Sequence, residues 1–304
     1  MPLSGTFHHV RLAAVAAAVP ETVVPNEAFL EALGERGLRK FTRMTGISER
    51  RHVRELTTED LAFAAAEALR NDRKWEAEGI DACVFVSQTP SVILPATACL
   101  LHGRLGLRQD CMAFDIGLGC SGFVYGLHVV GALIESGAIR RALLLGGDVP
   151  SRVSAREDLP NQMLFGDAGF AAVVERTETD APLHWLLGTD GTGADAIYAA
   201  GHAPWAKRTT PAGKAVSPWL EMDGLAVFNF TINVVPDAIR AFCAEHQLSL
   251  EGFDWFCLHQ ANRFILSQVA AATGFDDARN LVSIDRYGNT SSASIGICLD
   301  ELNR

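Results

Sequence analysis

The chain has 304 residues, 48% of them apolar, and a formal charge of −10; this is enough apolar material for a sizeable core, and the acidic balance argues against nucleic acid as a partner. Seven cysteines, odd in number and scattered through mostly apolar runs, argue against a disulfide framework and against a zinc or other metal site. No N-terminal segment combines a basic start with an apolar run and a small-residue cleavage site, and no apolar stretch approaches about 18 residues, so the sequence predicts a cytoplasmic protein with no membrane partner.

In chain order, the first local feature is a basic stretch, Arg36, Arg39, Lys40, Arg43, Arg50, Arg51 and Arg54, interrupted by the single acid Glu49. It reads either as a solvated face or as a docking patch for an acidic partner. Periodicity then predicts helices over 58–71, 95–106 and 121–137 and strands over 81–87, 111–116, 140–147 and 168–175. A second series follows: a strand over 183–189, a long helix over 226–248, strands over 254–258 and 281–285, and helices starting near 262 and 292. The alternation defines an α/β fold with helices covering a sheet.

The two series repeat in letters as well. Ile80-Asp81-Ala82-Cys83-Val84-Phe85-Val86-Ser87-Gln88 matches Phe253-Asp254-Trp255-Phe256-Cys257-Leu258-His259-Gln260. Further on, Phe114-Asp115 running into Gly119-Cys120-Ser121 matches Ile284-Asp285 running into Gly288-Asn289-Thr290-Ser291. Two copies of one supersecondary unit are implied, over 1–178 and 179–304. The second copy stops after its second matched turn and helix, without counterparts of strands 140–147 and 168–175. The glycines of 188–193 punctuate a turn rather than open a helix, so no dinucleotide fingerprint is read there.

Cys120 follows a strand and a glycine-rich turn and opens a helix. A helix N-terminus presents unpaired N–H groups that favour a thiolate, and Gly119, Ser121 and Gly122 leave room for a substrate. Cys83, Cys99, Cys257 and Cys298 read instead as small buried hydrophobes. His259 ends a short buried strand, where α/β folds gather active groups. Asn289 occupies in the second copy nearly the place of Cys120 in the first, although Gly288-Asn289 as a tight turn with Thr290 or Ser291 as helix cap needs no function. Cys, His and Asn in this order also fit a papain-like protease. Against that reading stand the duplicated α/β plan, the distance of Cys120 from the N-terminus and the absence of the flanking protease signature.

Five segments together, Thr45-Gly46-Ile47-Ser48-Glu49-Arg50, Asp115–Phe123 around Cys120, Phe165-Gly166-Asp167-Ala168-Gly169, His259-Gln260-Ala261-Asn262 and Asp285–Ser294 around Asn289, resemble β-ketoacyl-(acyl carrier protein) synthase III from about residue 8 onward. The resemblance implies a thiolase fold, with duplicated βαβαβαββ halves in five αβαβα layers, the second half lacking its last two strands, and a homodimer. It implies decarboxylative Claisen condensation of an acyl thioester with a malonyl thioester on acyl carrier protein, in fatty acid or related acyl biosynthesis. No resident cofactor is implied; the acyl group rides on phosphopantetheine of the carrier or on coenzyme A. Cys120 would carry the acyl group, and His259 and Asn289 would stabilise the malonyl enolate.

The sequence also departs from that family. The two final strands and their glycine-rich turn, which supplies a second oxyanion N–H, have no counterpart here. The aromatic that stacks on adenine falls at Lys40 and a nucleotide-binding arginine at Leu159, which points to an acyl group delivered by carrier protein, with Arg43, Asn262 and Arg263 as contacts. A bulky phenylalanine that limits the acyl pocket is replaced by Leu94, within Val92-Ile93-Leu94 at an expected dimer contact, and Leu94 with Phe165 is assigned to the substrate pocket. The alternative reading is a catalytically weak partner subunit, or an acyltransferase that does not condense.

Overall fold

The computed structural model describes residues 3–180, 182–202, 206–210 and 213–304. Its centre is a five-stranded sheet of order β2-β8-β7-β5-β6, built from β2 (Val10–Ala18), β5 (Ala82–Val86), β6 (Met112–Ile116), β7 (Arg141–Asp148) and β8 (Ala168–Arg176). β5 runs parallel to β6 and β7, while β8 runs antiparallel to β7 and β2. Outside this sheet, β1 (Leu3–Phe7) pairs with β9 (Leu183–Leu187), and β3 (Val23–Pro25) pairs with β4 (Glu49–Arg51).

The central strands read as unbroken apolar runs because both faces are covered. Ala82, Val84, Val86, Leu144, Phe170 and Ala172 point to one core, shared with Phe123, Val130 and Ile134 of α4 (Gly122–Glu135) and with Ile295 and Ile297 of α9 (Ser294–Leu302). Cys83, Phe85, Leu143, Leu145, Ala171 and Val173 point to the other, against α2 (Thr58–Asn71) and α3 (Thr97–Arg104). This two-residue alternation is the strand period made visible. α2 begins where the sequence places it because Thr57 and Asp60 form a reciprocal capping box: Thr57 Oγ1 accepts the Asp60 N–H, and Asp60 Oδ2 accepts the Thr57 N–H at 2.9 Å. α4 lies close on the sheet, and a Cβ at Gly122 would stand 2.4 Å from Val86 Cγ1.

Two N-terminal elements escape the periodicity. β2, Val-Arg-Leu-Ala-Ala-Val-Ala-Ala-Ala, is rich in the best helix former, yet it is a strand because ladder pairing with β8 and packing against α2 outweigh local propensity. α1 (Leu30–Thr45) has no buried residue, and its backbone breaks at Gly34, where φ is 65°.

The second copy is built differently from the expectation. The strand predicted over 254–258 is reduced to a single bridge, Phe256 to Asn280. The strand predicted over 281–285 is replaced by the short helix α8 (Ile284–Tyr287). The two short strands between β9 and the Phe256 segment, Ile197–Tyr198 and Glu221–Met222, pair with each other, so neither extends a ladder beside Phe256. Gln260, fully buried, substitutes side-chain bonds for ladder bonds: its Nε2 donates to the Leu258 and Leu281 carbonyls, at 2.8 and 3.1 Å, and its Oε1 accepts the Ser283 N–H.

α6 (Gly224–Glu245) and α7 (Arg263–Thr273) pack as a pair, with Phe256 stacked on Phe275 at 3.8 Å between ring centres and Phe228 on Phe264 at 5.6 Å. By length and composition alone α6 would suffice to cross a membrane, which corrects the expectation that no apolar segment approaches that length. Much of it is open, with Leu225, Phe230 and Val234 exposed.

The copies interlock beside the turn that carries Asn289. Asn289 N–H donates to the Leu164 carbonyl at 2.9 Å and Gly166 N–H donates to the Asn289 carbonyl at 3.1 Å, so the turn after α8 pairs with the end of α5 (Leu159–Leu164). Gly166 has no space for a side chain, because a Cβ there would meet the Tyr287 carbonyl at 1.9 Å. Gly166→Ala is expected to destabilise the fold by about 1–3 kcal/mol, read as a lowered thermal midpoint; an unchanged midpoint would show that this interlock carries no stability.

Candidate active site

Cys120 sits in the turn between β6 and α4, just before the helix N-cap Ser121, which makes no side-chain capping bond. The residue is accessible at the surface of the chain. Protein nevertheless crowds its thiol: burial first, then the Asp148 carboxylate, push it up to about 11, while a hydrogen bond from Ser291 and the Cys120 N–H act downward. Because water reaches the residue, hydration offsets part of the upward push. The expectation of a thiolate favoured by the helix end thus meets two opposing influences that the sequence did not reveal.

Asn289 is 6% exposed. Its Oδ1 accepts the Ser291 N–H at 3.0 Å, which fixes the amide so that its NH₂ group remains to donate. Ser291 takes a left-handed backbone, φ 50°, uncommon for a residue with a side chain and held here by that bond. This conformation brings the Ser291 hydroxyl beside Gly119, 2.9 Å from where a Cβ would stand, and within bonding reach of the Cys120 thiol.

His259 lies on the same turn's other side. Ser294 Oγ accepts the Gln260 N–H at 3.4 Å and stands 2.8 Å from His259 Nδ1. We assign the tautomer in which Nδ1 accepts the Ser294 hydroxyl proton and Nε2 carries the ring hydrogen. Burial, the largest influence, depresses the imidazole to about 4 against upward pulls from Cys298, the Ser291 backbone and Asp148, so it is neutral near pH 7. The segment Asn289–Ser294 therefore touches both Cys120 and His259. The structure brings the three sequence-predicted residues to one place and presents two neutral N–H donors beside a thiol.

The remaining predicted residues divide. Phe165 is buried and bridged to Asn289, beneath the site. Leu94 is 80% exposed on the loop between β5 and α3, beside Ile93 at 70%, so within one chain it lines no enclosed acyl pocket. Asn262 caps α7, its Oδ1 accepting the Ile265 N–H. Arg263 gives both terminal nitrogens to Asp277, at 3.0 and 2.6 Å. Arg43 is exposed in the last turn of α1.

The basic stretch is not one patch. Arg50 is fully buried and donates to the Val24 and Met163 carbonyls and to Asn26 Oδ1, with burial as the main cause lowering it to about 10. Arg51 is paired with Glu49 at 3.0 Å. What faces solvent is Arg36, Arg39, Lys40, Arg43 and Arg54. The cysteines are all free, and Cys99 is exposed rather than buried as expected. Ser291 was read only as a candidate helix cap with Thr290, and neither side chain caps a helix here; Ser294 and Asp148 were not singled out, the signal for Asp148 being a lone acid closing an apolar strand.

Fold and site together define an α/β protein in which a cysteine thiol, an imidazole and an amide gather around the Asn289–Ser294 segment. Family models described as 3-oxoacyl-[acyl-carrier-protein (ACP)] synthase III match residues 114–191, and as its C-terminal part residues 243–304. The chain is 33% identical over 294 residues to the β-ketoacyl-[acyl-carrier-protein] synthase III of Alkalilimnicola ehrlichii, covering 96% of this chain and 90% of that one. It superposes on the 3-oxoacyl-(acyl-carrier protein) synthase of Burkholderia xenovorans with a TM-score of 0.91 at 37% identity, covering 97% of this chain and 85% of the other. For the synthase III of Thermus thermophilus the values are 0.89 and 35%, with coverage of 96% and 89%. The chain belongs to the β-ketoacyl-acyl-carrier-protein synthase III family and has its α/β thiolase fold.

With burial and Asp148 raising the thiol, alkylation of Cys120 by iodoacetamide is expected to keep accelerating from about pH 8 to about pH 10; a plateau below about pH 7.5 would show that the helix end prevails. Ser294→Ala removes the proton directed at Nδ1 and is expected to slow malonyl decarboxylation about tenfold. An unaltered rate would show that the imidazole is oriented without it.

Proposed function

We propose that this chain is a condensing enzyme that joins an acyl thioester to malonyl-acyl carrier protein with loss of carbon dioxide. The observation that carries the reading is that the segment Asn289–Ser294 meets both Cys120 and His259, with the amide and the imidazole neutral and each bonded through its other polar atom.

In this reading Cys120 attacks the acyl thioester, its S–H proton leaves with the departing thiol, and the acyl group is stored as a thioester on Sγ. Malonyl thioester then binds with its carbonyl oxygen between His259 Nε2–H and the Asn289 amide. The carbon–carboxylate bond breaks, its electron pair becomes the enolate, and the two donors stabilise the charge that appears on oxygen. Enolate carbon attacks the acyl-Cys carbonyl, and the tetrahedral oxyanion collapses with expulsion of the Cys120 thiolate. Neutral donors suit this sequence, because they stabilise the enolate without donating a full proton to it.

No resident cofactor is invoked. Leu94 would shape an acyl pocket only if a second copy covered the exposed Val92–Leu94 loop, and the reading includes such a homodimer in the cytoplasm. Carrier protein, which is acidic and phosphopantetheinylated, would dock on the exposed cations of α1, with Arg43 ahead of Arg263 because Asp277 already occupies the latter.

Cys120→Ala is expected to abolish condensation, while His259→Ala and Asn289→Ala should each lower malonyl decarboxylation by about 10²–10³-fold; mass of the Cys120 peptide and carbon dioxide release measure the two steps. Acylated Cys120 with no carbon dioxide from malonyl-carrier protein would favour an acyltransferase or partner subunit instead. Arg43→Ala is expected to raise KM for carrier-bound substrate several-fold, by about 1 kcal/mol, against a smaller effect of Arg263→Ala; equal or absent effects would remove α1 from the docking face.

A further inference from the structure

Asp148 ends β7 and is 1% exposed. Its carboxylate receives five hydrogen bonds from neutral donors. Oδ1 accepts the Ser87 hydroxyl at 3.1 Å, the Gln88 N–H at 2.8 Å and the Thr89 hydroxyl at 3.1 Å. Oδ2 accepts the Ser292 N–H at 3.2 Å and the Ser292 hydroxyl at 2.7 Å. Three of these bonds come from the turn after β5 in the first copy, and two come from the turn carrying Asn289 in the second.

That division matters because of what flanks Ser292. Asn289 and Ser291, which touches Cys120, precede it; Ser294, which directs its proton to His259, follows it. Gln88, whose N–H is held by the same carboxylate, stands with Oε1 2.3 Å from where a Cβ at Gly119 would be. The carboxylate thus ties the turn beneath the nucleophile to the turn that carries Asn289 and reaches His259 through Ser294. A buried carboxylate is costly unless its lone pairs are filled, and five donors fill them without a cation. A cation there would stand beside Cys120 and His259.

We propose that Asp148 is a positioning residue for condensation: by binding Ser292 with one oxygen and Ser87–Thr89 with the other, it sets the placement of Asn289 and His259 over Cys120. The inference rests on the condensing-enzyme reading for its kinetic consequence, but the clamp itself is a property of the fold. Groups charged or titratable around the clamp are Cys120, His259 and Cys298.

Asp148→Asn keeps the size of the side chain but offers one acceptor oxygen, so its NH₂ must confront either the Ser292 pair or the 87–89 set. Ser292→Ala removes only the hydroxyl bond and retains the negative charge. Asp148→Asn is expected to lower kcat for malonyl-carrier decarboxylation about 10²-fold and Ser292→Ala about tenfold, with KM and the rate of Cys120 acylation within about threefold of the parent. Hydrogen exchange of the peptide spanning residues 288–296 is expected to quicken in both variants. Loss of acylation and decarboxylation in equal proportion, tracking a lowered thermal midpoint, would reduce Asp148 to a structural residue and overturn the proposal, as would unchanged exchange in both variants. If the parent chain releases no carbon dioxide, the condensing reading fails by itself. Exchange at 288–296, with acylation of Cys120, then decides the clamp: faster exchange with acylation retained upholds it.

Discussion

The pairing of Asn289 with Leu164 and Gly166 is the constraint from which the site follows. Two backbone hydrogen bonds fasten a turn of the second copy onto the first, and every polar contact around the thiol is then a consequence of where that turn must run. Ser291 in its left-handed conformation faces Cys120, Ser292 reaches Asp148, and Ser294 reaches His259. Gly166 has to be glycine so that the Tyr287 carbonyl can approach, and Arg50, buried alongside with its Cβ close to both Gly166 and Gly288, holds the neighbouring Met163 carbonyl. The motif around Arg50 thus serves the interlock and not a docking face.

The site's electrostatics are those of neutral groups in a crowded cleft. Burial suppresses the charge of both the imidazole and the thiol, and Asp148 adds a negative field that acts on each. In the proposed reaction charge then develops only as chemistry proceeds, on the malonyl oxygen assigned to the two N–H donors, an arrangement in which preorganised dipoles are most effective. An imidazole already protonated would bring a competing acid to the enolate.

The two copies share a plan but not a degree of completion. In the first, β5 has neighbours on both sides and becomes a fully buried strand. In the second, the equivalent residues around Phe256 make one bridge, and Gln260 supplies side-chain bonds where a ladder would run. The same pattern of letters yields different secondary structure because a strand exists only through its partners. β1 illustrates the converse: it is first in the chain yet pairs with β9, far along it.

Much of the first copy was legible from sequence, since two-residue and helical periodicities and the glycine-rich turn before Cys120 are local signals. The proposed site residues also came from local pattern: the repeat places Cys120 and Asn289 at matching turns, and His259 stands at the end of a short apolar run. What local pattern cannot encode is partnership across the chain. The Ala-rich β2 is a strand only because β8 lies beside it, and Arg50 left the basic stretch only because the core closed over it. Arg263 is held only because Asp277 stands opposite, and Asp148 gained a place at the site only when Ser292 arrived from the other copy. The sequence by itself determined which groups could react. Tertiary structure alone decided how they are brought together, because the bonds that fasten the turns, Asn289 to Leu164 and Ser292 to Asp148, join residues separated by more than a hundred positions in the chain.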